Sequence, residues 1–139
     1  MGLIFDTSVL IASERKRLDL AALFAAHACE SFFLATVTAA ELLHGVVRAT
    51  TPARKKARSE FVEDVLARIE AIDFDVPVAR RHADLWAELE KSGKMIGPYD
   101  LLIAATALHY GYAVATLNVA EFRHVKGLRI LDSQPFLHS

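Results

Sequence analysis

Five oxygen-bearing side chains stand where alternating strands and helices could gather them: Asp6, Glu41, Asp100, Asn118 and Glu121. Asp6 ends the apolar run Leu3-Ile4-Phe5. Glu41 comes shortly after the run Phe32-Phe33-Leu34-Ala35. Asp100 lies in the first turn of a helix opened by Pro98. Asn118 ends the run Tyr112 to Leu117, and Glu121 follows a turn later. If Asp6, Glu41 and Asp100 converge to about 5 Å, each pair repels by roughly 3 kcal/mol at an effective dielectric near 20. No Lys or Arg stands at a matching position to neutralise them. The carboxyls must then keep protons or bind a cation. A set of carboxylates, waters and an amide suits Mg²⁺ or Mn²⁺ better than Zn²⁺. Such an ion activates water and steadies charge on a phosphate. The chemistry implied is metal-assisted phosphodiester hydrolysis.

Each acid also has a plainer role. Asp6 could cap the helix after it. Glu41 could return a hydrogen bond to Thr38, since Thr38-Ala-Ala-Glu41 has the capping-box spacing. Asp100 could simply meet the positive end of its helix dipole. Glu121 could be a solvated surface residue. Asp73, Asp75 and Asp132 also lie near strand ends and read as edge or capping residues. The recurrence of acids beside successive strand ends favours the metal reading over three separate caps.

The elements that must position these residues alternate. Short apolar runs at residues 3–5, 32–35, 71–74, 112–117 and 128–131 read as strands. Helices are expected from Val9, over 18–28, from Leu42 to Val47, from Pro52 to about Ile69, from Asp75 and Pro77 onward, and from Pro98 to Gly111. The helix from Pro52 carries Arg54, Lys55, Lys56 and Arg58 on a polar face, with Phe61, Val65, Leu66 and Ile69 opposite. The helix after Pro77 is expected to turn Ala83, Leu85, Trp86 and Leu89 inward. Continuous rather than alternating apolar strands indicate a parallel sheet covered on both faces. Asp73 marks the third strand as an edge. In such α/β folds ligands bind beyond the carboxyl ends of the strands, where the strand order reverses.

The totals set the frame. The 139 residues suffice for one domain, 1–139, with a substantial core. A composition 53% hydrophobic and 24% charged belongs to a globular protein. A formal net charge of −1 argues against a protein that coats nucleic acid by charge alone. The single Cys29 cannot form an internal disulfide and reads as a buried thiol. Residues 101–120 lack Asp, Glu, Lys and Arg, but a helix-to-strand break at Gly111 explains that run better than a membrane span. No signal peptide is legible at the start, so a cytoplasmic location is expected.

The motifs Ile-Phe-Asp6-Thr-Ser-Val-Leu, Thr-Ala-Ala-Glu41-Leu-Leu-His-Gly, Gly97-Pro-Tyr-Asp100-Leu-Leu-Ile-Ala-Ala-Thr-Ala-Leu and Ala115-Thr-Leu-Asn118-Val-Ala-Glu121-Phe occur in this order across nearly the whole chain. Together they resemble the PIN-domain ribonucleases, within that group the VapC-type toxins of bacterial type II toxin–antitoxin pairs. The resemblance implies a three-layer α/β/α fold with a five-stranded parallel sheet. It implies a Mg²⁺- or Mn²⁺-dependent endoribonuclease acting on RNA, with Asp6, Glu41 and Asp100 at the metal. Thr7 and Thr116 match polar residues that orient the carboxylates or a water. A homodimer and a cognate antitoxin blocking the acidic cleft are implied as well. Many members carry Asp soon after the fourth strand; here Asn118 stands there, so either Asn118 or Glu121 is the fourth ligand.

Three other readings fit parts of the chain. Glu41-Leu-Leu-His44 and Glu121-Phe-Arg-His124 both have the Glu-x-x-His spacing of di-iron or di-manganese carboxylate bundles. A phosphatase with Asp6 as nucleophile would want a second Asp where Ser8 stands. A catalytically inert PIN-like module would bind partners without cleaving anything.

Overall fold

The computed structural model describes residues 1–138. Five strands are present: β1 (Gly2–Phe5), β2 (Ser31–Ala35), β3 (Glu70–Ile72), β4 (Ala113–Thr116) and β5 (Ile130–Asp132). They form one parallel sheet in the order β3-β2-β1-β4-β5. The helices are α1 (Thr7–Glu14), α2 (Leu20–Ala26), α3 (Thr36–Val47), α4 (Pro52–Arg68), α5 (Val76–Ser92), α6 (Pro98–Tyr110) and α7 (Val119–Phe122). A 3₁₀ turn follows at Gln134–Phe136. The three-layer α/β/α arrangement and the five-stranded sheet agree with the sequence expectation.

Side chains of a strand alternate between faces, so each central strand feeds two cores. Ile4 and Val114 point to one side, where they join Leu85, Leu89, Leu101, Ile103 and Phe122 from α5, α6 and α7. Phe5 and Ala115 point to the other, with Val9, Leu10, Leu23, Leu42, Val62 and Val65 from α1 to α4. The full burial of β1 and β4 explains why both read as unbroken apolar runs.

Local chemistry sets the helix ends. The Thr51 hydroxyl and the Asp75 carboxylate accept from the amides of Arg54 and Val78, capping α4 and α5. Gly111 closes α6 at φ 70°, a left-handed geometry that favours glycine. The charge-free run 101–120 breaks there into helix and strand, and no helix among the described residues is long and apolar enough to cross a membrane.

Four expectations are corrected. α3 begins at Thr36 rather than Leu42, with Ala35 at its cap, so Thr38 lies inside the helix and forms no capping box. Thr36 and Val37 are β-branched, and the sequence alone did not assign them to a helix. Trp86 and Ala83 face outward, while Val78, Leu85 and Leu89 face inward. The inner stripe follows the i, i+3/i+4 spacing, and Trp86 sits one step past Leu85, about 100° round the axis. Cys29 is exposed, because it lies in the turn between α2 and β2 rather than in either core. Finally, β3 ends at Ile72, which leaves Phe74 exposed beyond the edge strand.

Candidate active site

The strand order reverses between β1 and β4: the chain runs outward from β1 through β2 to β3 on one side, and from β4 to β5 on the other. Beyond the carboxyl ends of these two strands lie Asp6 and Thr116. The Asp6 amide donates to the Ala115 carbonyl (2.9 Å), which ties the two strand ends together. Asp6 occupies the cap position of α1, but its carboxylate makes no cap bond to the helix. Instead Asp6 Oδ2 accepts from the hydroxyls of Ser8 (2.7 Å) and Thr116 (2.8 Å). The amides of Thr7 and Ser8 at the start of α1 also favour its charge, so the helix end and the two hydroxyls act on Asp6 together.

Glu41 stands on α3, in its second turn. Its Oε1 accepts from the Thr7 hydroxyl at 2.7 Å, and Thr7 Oγ1 lies 3.1 Å from the buried Thr38 hydroxyl. Asp100 lies in the first turn of α6, near enough to the rim for the charges of Asp6, Glu121 and Glu41 to act on it. Glu121 is on α7. Its Oε1 accepts from the Gly97 amide and its Oε2 from Asn118 Nδ2. Asn118 is thus spoken for as a donor, with Oδ1 left as its acceptor. A Cβ on Gly97 would stand 3.4 Å from Glu121 Oε1 and 3.6 Å from Asp100 Oδ2, so this glycine lies directly against both acids.

The electrostatics show that the acids sense one another. Asp100 is pushed up to about 7, by burial first and then by the charges of Asp6, Glu121 and Glu41, with a hydrogen bond from its proton to Glu121. Burial raises Asp6 despite the hydroxyls of Ser8 and Thr116. Burial also raises Glu41, opposed by the Thr7 hydroxyl and reinforced by the Asp6 charge. Glu121 is lowered, chiefly by the Gly97 amide, with further help from Asn118 and Asp100. The cluster therefore holds a proton on Asp100 and a negative charge on Glu121. Acids pulled apart in this way mark a functional site more often than a purely structural one.

The donor set fits a hard divalent cation. Every group at the rim is an oxygen donor apart from the Asn118 amide nitrogen. Among the described residues no three His, Cys, Asp or Glu side chains form a ready-made metal cage. Mg²⁺ binds through one or two carboxylates and keeps several waters, so it does not require one. His44 does not bear on the acids, and His124 touches the cluster only through its charge, which helps to lower Glu121. His44 is exposed on α3, and His124 Nδ1 lies 3.0 Å from the Lys94 carbonyl. The fold has no four-helix bundle to carry a Glu-x-x-His site, which removes the di-iron reading.

Sequence reasoning passed over three residues at this rim. Ser8 bonds Asp6 and also accepts from the Leu117 amide (3.2 Å). Thr38 backs Thr7. Gly97 anchors Glu121. The Asp-Thr-Ser order after a strand was the available signal for Ser8. Nothing short of the fold pairs Thr38 with Thr7, 31 positions away.

A PIN domain profile matches residues 3–128, and the chain belongs to the PIN-domain family. It is 34% identical over 131 residues to ribonuclease VapC1 of Rickettsia felis, covering 94% of this chain and 96% of that one. It is 35% identical over 99 residues to the tRNA(fMet)-specific endonuclease VapC of Salmonella typhimurium, covering 71% and 73%. Among solved structures it resembles VapBC-5 from Mycobacterium tuberculosis, a member of the VapBC family of toxin–antitoxin systems. That likeness has a TM-score of 0.75 at 30% identity and covers 94% of this chain and 97% of that one.

Proposed function

We propose that this chain is a metal-dependent endoribonuclease, the toxin of a VapBC-type toxin–antitoxin pair. The observation that carries the reading is the meeting of Asp6, Glu41, Asp100 and Glu121 at one rim, close enough to push Asp100 up to about 7. Asp6, Glu41, Asp100 and Glu121 would hold Mg²⁺ or Mn²⁺, with Asn118 Oδ1 as a further donor. When bound, such an ion makes a coordinated water nucleophilic at neutral pH and offsets charge developing on a phosphate. Ser8 and Thr116 fix the Asp6 carboxylate, and Thr7 fixes Glu41, so these two donors are oriented before a metal arrives. The Gly97 amide and Asn118 keep Glu121 ionised while Asp100 holds the shared proton. Asp100 must release that proton to become a ligand.

The chemistry acts on the phosphodiester backbone, so the acids choose the bond type and not the RNA. A cognate antitoxin and a homodimeric assembly complete the proposal. An end-labelled transfer RNA is the first substrate to test. Cleavage should require Mg²⁺ or Mn²⁺, stop in EDTA and be lost in Asp100→Asn, while the variant keeps its fold by circular dichroism. A fully active Asp100→Asn would remove this residue from the metal site. Calorimetry that detects no Mn²⁺ binding would favour the inert partner-binding module instead.

A further inference from the structure

Beside the acid rim, between α1, α3 and α4, lies a groove of about 740 Å³. Glu41 lines it, and so does Tyr99, the residue immediately before Asp100. Three arginines, Arg15, Arg48 and Arg58, line it too. Arg58 is already engaged, 3.4 Å from Glu14 and donating to the Gly45 carbonyl at 3.0 Å. Arg15 and Arg48 are exposed, and neither has an ion-pair partner among the described residues.

The spacing follows from the helices. Arg15 is the C-cap of α1, whose N-cap is Asp6; Arg48 is the C-cap of α3, which carries Glu41. At 1.5 Å per residue, Arg15 stands roughly 13 Å along α1 from Asp6, and Arg48 roughly 10 Å along α3 from Glu41. One groove thus has anionic chemistry at one end and two uncommitted guanidinium groups at the other. Tyr99 stands at the acidic end and is 53% exposed, with no aromatic partner among the described residues.

An acidic rim repels an RNA backbone. Cations set back from the rim draw the backbone in without neutralising the acids, and an exposed ring beside the acids offers a base a stacking surface. We propose that this groove is the path of a single-stranded RNA segment flanking the scissile bond, with phosphates on Arg15 and Arg48 and a base stacked on Tyr99. This rests on the ribonuclease reading above and makes these three positioning residues for it. The competing role for both arginines is to complement the negative ends of α1 and α3. A second competing occupant is a protein segment.

The test uses the full chain and a fluorescein-labelled single-stranded RNA 12-mer, with anisotropy measured over a salt series and Mn²⁺ binding measured separately by calorimetry. Arg15→Ala/Arg48→Ala should weaken binding at low salt and reduce the slope of log K against log salt by roughly 1.4, the value for two single-strand phosphate contacts. Tyr99→Ala should weaken binding about tenfold, with Tyr99→Phe restoring it. Mn²⁺ affinity should stay unchanged in all three. An unchanged salt slope and unchanged affinity would overturn the inference, leaving the ribonuclease reading intact. A wild-type chain that takes up Mn²⁺ but neither binds nor cuts RNA would overturn both.

Discussion

Asp100 governs how the site answers to pH. Its value of about 7 lies well above the ordinary 3.8, because burial and three neighbouring acids oppose its charge. Between those values the folded chain binds more protons than the unfolded one, so stability falls as pH rises through that window. Asp6 and Glu41, both raised, act in the same direction; Glu121, lowered, acts against them. Metal-free protein should therefore melt at a lower temperature at pH 7.5 than at pH 5. Asp100→Asn should flatten that dependence and melt higher at pH 7.5. Parallel melting curves for the two proteins across pH would show that Asp100 is not under the strain described. At this scale the acids were legible, because a carboxylate after a buried strand is conspicuous. Their supporting hydroxyls were not. Ser, Thr and Gly are common in turns and helices, and only the crossing of β1, α3 and β4 reveals which of them face an acid.

Elements were legible where one force dominated. β1 and β4 are buried on both faces, and α6 has Pro98 at its start and Gly111 at its end, so each followed from its own residues. The start of α3 did not, because Thr36 and Val37 fit strand and helix alike, and tertiary packing decided in favour of helix. Trp86, expected to face inward, is exposed. The inner stripe of α5 brings Leu85 and Leu89 into one cluster with the small residues Ala104 and Ala107. The start of β1 depends on a contact invisible in the sequence. A Cβ on Gly2 would lie 2.7 Å from the ring of Tyr112, which stacks on Phe33 at 5.0 Å and on Tyr110 at 5.5 Å. Gly2→Val should force that ring stack apart and destabilise the fold by about 1–3 kcal/mol, read by urea denaturation. A variant as stable as the parent would mean that the stack moves aside freely.

The whole molecule carries little net charge, −1, yet distributes it unevenly. Arg54, Lys55 and Lys56 are exposed at the start of α4, while Arg58, the fourth member of that run, turns into the groove. The sequence treated all four as one polar face; the fold separates three solvated cations from one committed to Glu14. Replacing Arg54, Lys55 and Lys56 with Ala should slow RNA association several-fold at low salt and leave Mn²⁺ binding unchanged. The difference should fade as salt rises. Equal association rates at low salt would make the run a plain solvated face. The parallel arrangement was legible at this scale, because parallel strands with right-handed crossovers gather their carboxyl ends at one rim; the strand order was not.

Asp6 takes a hydrogen bond from a residue 110 positions later. A ribosome making this protein therefore produces the first half of the cutting edge almost at once and the second half near the finish. Until β4 has emerged and inserted beside β1, the growing chain has no closed rim and no means of harming the cell that is translating it. The delay is written into the connectivity of the sheet, whose last strand beside β1 is also among the last to be made.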